Sequence, residues 1–237
     1  MSPSTQTGSD HVSLLAQITL SEHLNHDHMG DRQPSTWSIS FAKRCVDILL
    51  ASIALLLTAP CLLLASLFVI TSRGPLLFAS IRVGQGGKHI RVLKFRTMRH
   101  RRERGVLLTR ADDERLTAAG RWLRKWKLDE LPQFINVLRG EMSLIGPRPD
   151  SPEFIDTLPG SVKSTLFRIR PGITSVASLK FRDESSVLAQ VPERELSSYY
   201  IQTLLPHKLF LDLDYASRAT FFSDVRLLLR TAVEILR

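Results

Sequence analysis

Residues 45–71, CVDILLASIALLLTAPCLLLASLFVIT, are the one stretch with the length and apolarity to enter a lipid bilayer, and they constrain what the rest of the chain can do. Asp47 is the single charge within the run. The 26 residues from Val46 to Thr71 make a helix of about 39 Å at 1.5 Å per residue. That exceeds the roughly 30 Å of a hydrocarbon core, so a single-pass anchor is the simple reading. Two features argue against it. Pro60 lies near the middle, where it removes an i to i−4 hydrogen bond and kinks a helix. Positive charge flanks both ends, with Lys43 and Arg44 before and Arg73 and Arg82 after, which favours both ends on the cytoplasmic side. Each half is about 20 Å long, so a bent helix that enters one leaflet and returns fits better than a span.

The remainder is basic. The chain has 237 residues, a net charge of +9 and an isoelectric point of about 10.1, which suits anionic partners. Cys45 and Cys61 form no paired framework, so nothing points to an oxidising compartment. No charged n-region followed by an apolar h-region opens the sequence, so no cleavable leader is expected. Residues 1–40 are polar and without periodicity, and read as a disordered tail. His23, His26 and His28, with Asp27 and Asp31, have ligand chemistry. A site needs a scaffold to hold its geometry, so a solvated tail is the preferred reading.

After the apolar run, residues 75–98 predict a β-hairpin. PLLFASIRV and HIRVLKFRTM are β-prone, and GQGGK between them supplies glycines for the turn. The spacing is wrong for a phosphate-cradling loop. At the end of the second strand, Lys94, Arg96 and Thr97 offer two cations and a hydroxyl to a phosphate, or form a solvated strand end. Residues 99–115 are dense in charge and read as a surface segment. Residues 116–127 read as an amphipathic helix, with Leu116, Ala119, Leu123 and Trp126 on one face and Arg124 able to point toward Asp129. Its Trp and Lys/Arg content suits a membrane interface or a basic solvent face.

Asp129 and Glu130 stand side by side where a helix is expected to begin. Asp129 is placed at N-cap, Pro132 in the first turn, and Gly140 at the stop. An ordinary capping aspartate with a spare acidic neighbour has the same appearance. Pro147 and Pro149 fix the backbone around Arg148, a good setting for a phosphate clamp, and RIRPGIT (168–174) repeats the arrangement. The last segment, FFSDVRLLLRTAVEILR, is amphipathic, with Val225, Leu228, Leu229, Ala232, Val233 and Leu236 expected on its apolar side. It suits either a membrane interface or a domain core.

The order of these parts carries a resemblance. A basic-flanked apolar segment with a central proline is followed by KFRTM (94–98), LRKWKLDELPQFINVLRGEMSLIGPRP (123–149) and RPGIT (170–174). Over about residues 41–237 this resembles the bacterial sugar transferases, the monotopic phosphoglycosyl transferases that start surface-glycan assembly. The resemblance implies transfer of a sugar-1-phosphate from a UDP-sugar to polyprenyl phosphate, with release of UMP and with Mg²⁺ as cofactor. It implies that Asp129 is the nucleophile, forming an aspartyl phosphosugar, and that Glu130 belongs to the same dyad, the two carboxylates being the metal candidates. Arg124 and Arg148 match the family's arginines, and Lys94, Arg96 and Thr97 join them as candidate phosphate contacts. Pro60 matches the break of a re-entrant helix, although Ala59 stands where the family has serine. Ser80 and Ser175 also depart from the family's glutamine and glycine.

The expected fold is therefore α+β and mainly helical, with a re-entrant membrane helix (41–73), interfacial amphipathic helices and a small β-hairpin in a cytoplasmic catalytic domain (74–237). The implied partners are the UDP-sugar, polyprenyl phosphate and the bacterial inner membrane, not nucleic acid, with room for a homo-oligomer. Two other readings stay open: a conventional glycosyltransferase that passes the bare sugar, and a membrane-tethered basic scaffold that binds anionic lipid or nucleic acid without catalysis.

Overall fold

A computed structural model describes residues 27–71, 74–99, 108–110 and 113–236. The histidine cluster of the tail, apart from Asp31, and most of the charged segment 99–115 fall outside these residues or their described side chains. The chain is mainly helical. A short helix α1 (Asp27–Gly30) leads to the apolar helix α2 (Phe41–Ile70), and strands β1 (Leu77–Val83) and β2 (His89–Phe95) follow. Then come α3 (Ala118–Lys125), a 3-10 turn over Leu128–Glu130, α4 (Gln133–Arg139) and β3 (Ser143–Ile145). Two short helices, α5 (Pro152–Ile155) and α6 (Gly160–Leu166), precede β4 (Gly172–Thr174). The rest is helical: α7 (Val176–Lys180), α8 (Glu184–Ala189), α9 (Leu196–Tyr199), α10 (Leu205–Arg218) and α11 (Phe221–Leu236).

β1 and β2 form the expected antiparallel hairpin, with Leu77 opposite Phe95 and Val83 opposite His89. β3 and β4 add a parallel pair that the sequence reading did not contain, because three-residue strands leave no periodic trace. Parallel pairing needs a crossover, and α5 and α6 supply it.

Helix α2 has 30 residues, about 45 Å, and Pro60 lies inside it. Ser40 caps it by accepting the Lys43 N–H at 2.9 Å. Contact with the rest of the chain is made near its two ends. Lys43, Asp47 and Ala51, one turn apart, are buried at the first end, and Ala65 and Val69 at the second. Between and around them Leu56, Leu57, Leu63, Leu64 and Leu67 are exposed. At the first end Asp47 accepts the Ser143 hydroxyl at 2.8 Å and the Leu144 N–H at 3.2 Å. Lys43 donates to Asp224 of α11 at 2.6 Å, and Trp37 and Tyr215 donate to the same carboxylate. At the second end Ala65 and Val69 pack with Phe95 of β2 and Leu123 of α3. The one charge within the apolar run thus serves as a polar seat on the folded body.

Three expectations need correction. Residues 29–40 are tied to the folded body, not disordered. Met29 is buried among Phe154, Tyr200 and Leu204, the Gly30 carbonyl accepts the Thr165 hydroxyl at 2.7 Å, and Arg32 pairs with Asp214. Single anchoring side chains do this, and they leave no pattern in a sequence. The helix after Lys127 does not start at Asp129. Lys127 turns left-handed (φ 53°), residues 128–130 form a 3-10 turn, and the α-helix begins at Gln133 behind Pro132; Asp129 caps nothing. Its stop at Gly140 is as expected, at φ 83°. In α11 it is Asp224 and Leu227 that face inward, while Leu229, Val233 and Phe222 face out among Arg226 and Arg230.

Candidate active site

The acidic pair is held against the end of β2. Asn136, fully buried in α4, accepts the Leu93 N–H at 3.0 Å and donates to the Arg91 carbonyl at 2.8 Å. This staples α4 to the strand and brings the preceding 3-10 turn beside Lys94. Helix α3 closes the other side. The Thr97 carbonyl accepts the Thr117 N–H at 3.0 Å, and a Cβ on Gly120 would lie 2.0 Å from that oxygen, so only glycine permits the approach. Arg124 Nε then donates to Thr97 Oγ1 at 2.9 Å.

The two carboxylates face different surroundings. Glu130 Oε1 accepts from Lys94 Nζ at 2.7 Å and from Arg148 at 2.8 Å. Burial pushes the Glu130 carboxyl up, but Arg148, Lys94 and Lys127 outweigh it and hold the group well below the usual carboxylate range. Arg148 is driven up in turn by Glu130. Lys94 is lowered, because burial outweighs the attraction of Glu130. Asp129 is 5 % exposed, and its Oδ1 is buried without a hydrogen-bond partner. Burial, then the Glu130 charge, push its carboxyl up against the pull of Lys94 and Arg124. The pair thus consists of one carboxylate clamped by two cations and one buried carboxylate whose charge is disfavoured.

Of the residues singled out in the sequence, Lys94, Arg124, Thr97 and Arg148 gather around Asp129 and Glu130. Arg124 acts on Asp129 through its charge while its hydrogen bond goes to Thr97. Arg96 is buried with its guanidinium against Gly74, where a Cβ would meet Nη1 at 2.0 Å. Pro60 lies within α2, away from the hydrogen bonds of the pair.

Arg148 is held by its backbone as well as its side chain. Between Pro147 and Pro149 it has the only N–H of the run, and Asp212 of α10 accepts it at 3.2 Å while taking the Ala177 N–H at 2.9 Å. Two residues on, Asp150 accepts the Tyr200 hydroxyl at 2.7 Å, and Lys208 of α10 donates to that hydroxyl at 3.0 Å. The sequence reading missed Asp212 and Lys208. Their one-turn spacing on an α10 that also buries Leu205, Leu209 and Leu213 was the available signal. It also missed Gln133, which is 2 % exposed and whose amide nitrogen lacks a partner.

Among the described residues no group of three or more His, Cys, Asp and Glu is placed to hold a metal. Mg²⁺ commonly takes only one or two carboxylates and completes its shell with substrate phosphates and water. The unpartnered Asp129 Oδ1 fits such a site, and Glu130 fits less well because two cations already share its Oε1.

Residues 38–237 match the family model described as bacterial sugar transferase. A UDP-glucose:undecaprenyl-phosphate glucose-1-phosphate transferase of Caulobacter vibrioides is 34 % identical over 98 % of this chain and 90 % of that protein. A UDP-N-acetylgalactosamine-undecaprenyl-phosphate N-acetylgalactosaminephosphotransferase of Aeromonas hydrophila is 39 % identical over 67 % of this chain. A UDP-glucose:undecaprenyl-phosphate glucose-1-phosphate transferase of Escherichia coli is 40 % identical over 68 % of it. The chain spans only 38 % of the Aeromonas protein and 36 % of the Escherichia protein.

Proposed function

The chain belongs to the bacterial sugar transferase family, and from that premise we propose that it moves a sugar-1-phosphate from a UDP-sugar to undecaprenyl phosphate and releases UMP. The observation that carries this reading is the split within the acidic pair: Asp129 is buried with a free oxygen, and Glu130 is pinned by Lys94 and Arg148. Relatives named for both glucose-1-phosphate and N-acetylgalactosamine-phosphate transfer support the donor class without selecting the sugar.

The transfer proceeds in two displacements. An Asp129 oxygen bonds to the sugar-bearing phosphorus, the bond from that phosphorus to the bridging oxygen breaks, and UMP leaves with the electron pair. An oxygen of the acceptor phosphate then attacks the same phosphorus, the Asp129–phosphorus bond breaks, and the carboxylate is regenerated. The desolvation that raises Asp129 also leaves its anion poorly solvated and nucleophilic. Lys94, Arg148 and Arg124 neutralise the phosphates and orient them, with the Thr97 hydroxyl holding Arg124. Asp129, and Glu130 once a cation releases it, would hold Mg²⁺, which supplies charge neutralisation on the diphosphate.

The membrane reading is part of the proposal. Helix α2 dips into the cytoplasmic leaflet and returns, the body from residue 74 onward is the catalytic part, and the outward face of α11 lies in the interface. Support comes from the seating of both ends of α2 on one body, the intervening Pro60, and the exposed leucines between. Catalysis on the cytoplasmic face of the inner membrane places the site where soluble UDP-sugars meet the lipid phosphate.

The test incubates purified protein with a panel of UDP-sugars, undecaprenyl phosphate and Mg²⁺, and measures the nucleotide released. UMP that disappears in the Asp129→Asn protein is the expected outcome. UDP instead of UMP would indicate transfer of the bare sugar. Undiminished UMP from Asp129→Asn would remove the nucleophile assignment, and no nucleotide from any donor would favour a binding scaffold.

A further inference from the structure

Gln133 is one of the most thoroughly buried polar side chains of the described residues, at 2 % exposure, and its Nε2 has no partner. A buried amide without hydrogen bonds costs stability, and more than nine in ten buried polar groups avoid this state, so a retained one calls for an explanation. Four residues earlier stands a second orphan, Asp129 Oδ1. Pro132 and Leu131 between them hold right-handed helical angles, so positions 129 and 133 lie about a turn apart on one continuous right-handed segment. One orphan is an acceptor and the other a donor, and they do not bond each other. Asn136 and Val137, next along the same helix, are also buried, but Asn136 has its partners in β2 and Glu141, so the amide vacancy is particular to Gln133.

We infer that Gln133 is a catalytic residue: its side-chain N–H donates to a non-bridging oxygen of the phosphoryl group while that group is bonded to, or being attacked by, Asp129. This rests on the reading of Asp129 as the nucleophile. The phosphoryl group completes both orphans at once, taking the Asp129 oxygen as a covalent partner and the Gln133 N–H as a hydrogen-bond donor. The negative charge on the phosphoryl oxygens is greatest where a fixed donor helps most, and the burial of Gln133 keeps water from competing for it. The inference also accounts for why a polar side chain is kept where leucine would pack without penalty.

The experiment uses the full chain in three variants, with UMP release under saturating and limiting donor and with thermal melting. Gln133→Leu is expected to melt at or above the parent temperature and to lose on the order of 10²-fold in kcat with little change in KM, as removal of one charge-stabilising donor does elsewhere. Gln133→Glu keeps the shape, offers no donor at neutral pH, and is expected to lose at least as much. Gln133→Asn retracts the donor by one carbon and guards against a failure of the leucine protein to fold. It is expected to lose at least about tenfold in kcat with melting unchanged. A leucine or asparagine variant with parental kcat overturns the inference, as does a leucine variant whose loss of activity follows a loss of melting temperature. Asp129→Asn run alongside separates the two claims. If it still releases UMP, the nucleophile assignment fails and Gln133 loses its stated partner. If it is inactive while Gln133→Leu is fully active, Gln133 alone is overturned.

Discussion

At the scale of single residues, two adjacent carboxylates differ because of what faces them. Burial and the charge of Glu130 disfavour the ionised Asp129, while Arg148 and Lys94 favour the ionised Glu130. Their isosteric neutral variants are therefore expected to move stability in opposite directions. Asp129→Asn removes an ill-solvated charge and is expected to raise unfolding stability by about 1 kcal/mol while abolishing UMP release. Glu130→Gln leaves two buried cations short of their counter-charge and is expected to cost about 3 kcal/mol. Denaturant titration of both proteins checks the pair, and stability changes of the same sign would mean that the two sites share one environment. The adjacency of Asp129 and Glu130 and their basic flanks was legible in the sequence, because the LDELPQ string is contiguous. The division between the two was not, because Lys94 and Arg148 lie 36 and 18 residues from Glu130 and only the fold brings both to the same oxygen.

At the scale of elements, the hairpin was readable because the GQGGK turn and the alternating strands are local signals. The start of α4 was misplaced because Pro132 and an acidic pair are compatible with either a 3-10 turn or a first α turn, and the left-handed Lys127 that decides between them has no sequence signature. The approach of α3 to Thr97 likewise depends on Gly120. Gly120→Ala drives a methyl group into the Thr97 carbonyl and is expected to cost about 3 kcal/mol and to displace Arg124, seen as a lower melting temperature and a lower rate together. Helix α10 contributes a pH dependence. Burial raises Asp212 to about 6, against the opposing hydrogen bonds from the Ala177 and Arg148 N–H groups and the charge of Lys208. An acid whose folded pKa is raised binds its proton more tightly in the fold, so its contribution is fully present below the unfolded value of 3.8 and is lost as pH rises through about 6. The difference corresponds to about 3 kcal/mol. Melting followed from pH 4 to pH 7 is expected to fall less steeply in Asp212→Asn than in the parent, and equal slopes would contradict the assignment.

At the scale of the whole molecule, the seating of the apolar helix bears on the proposed membrane topology. A helix of 30 residues is long enough to cross a bilayer. Crossing would carry its two ends to opposite sides, yet Asp47 is bonded to Ser143 and Leu144 while Val69 packs on Phe95 and Leu123. Those partners belong to one body, linked by Asn136 between β2 and α4. The seating supports the re-entrant proposal, in which Pro60, with no N–H for the Leu56 carbonyl, is where the helix would bend. In a protein freed of its own thiols by Cys45→Ser and Cys61→Ser, Thr36→Cys and Lys88→Cys flank the helix on exposed positions. In sealed, right-side-out cells both are expected to resist a membrane-impermeant thiol reagent and to react together once the membrane is opened. Labelling of Thr36→Cys alone in intact cells would establish a span and undo the re-entrant proposal. Adding Pro60→Leu restores the missing hydrogen bond and favours a straight helix of about 45 Å, long enough to cross the bilayer instead of returning. A fraction of Thr36→Cys is then expected to become accessible from outside, with UMP release falling in the same proportion, because a crossing helix withdraws one of its two seats from the body that holds Asp129.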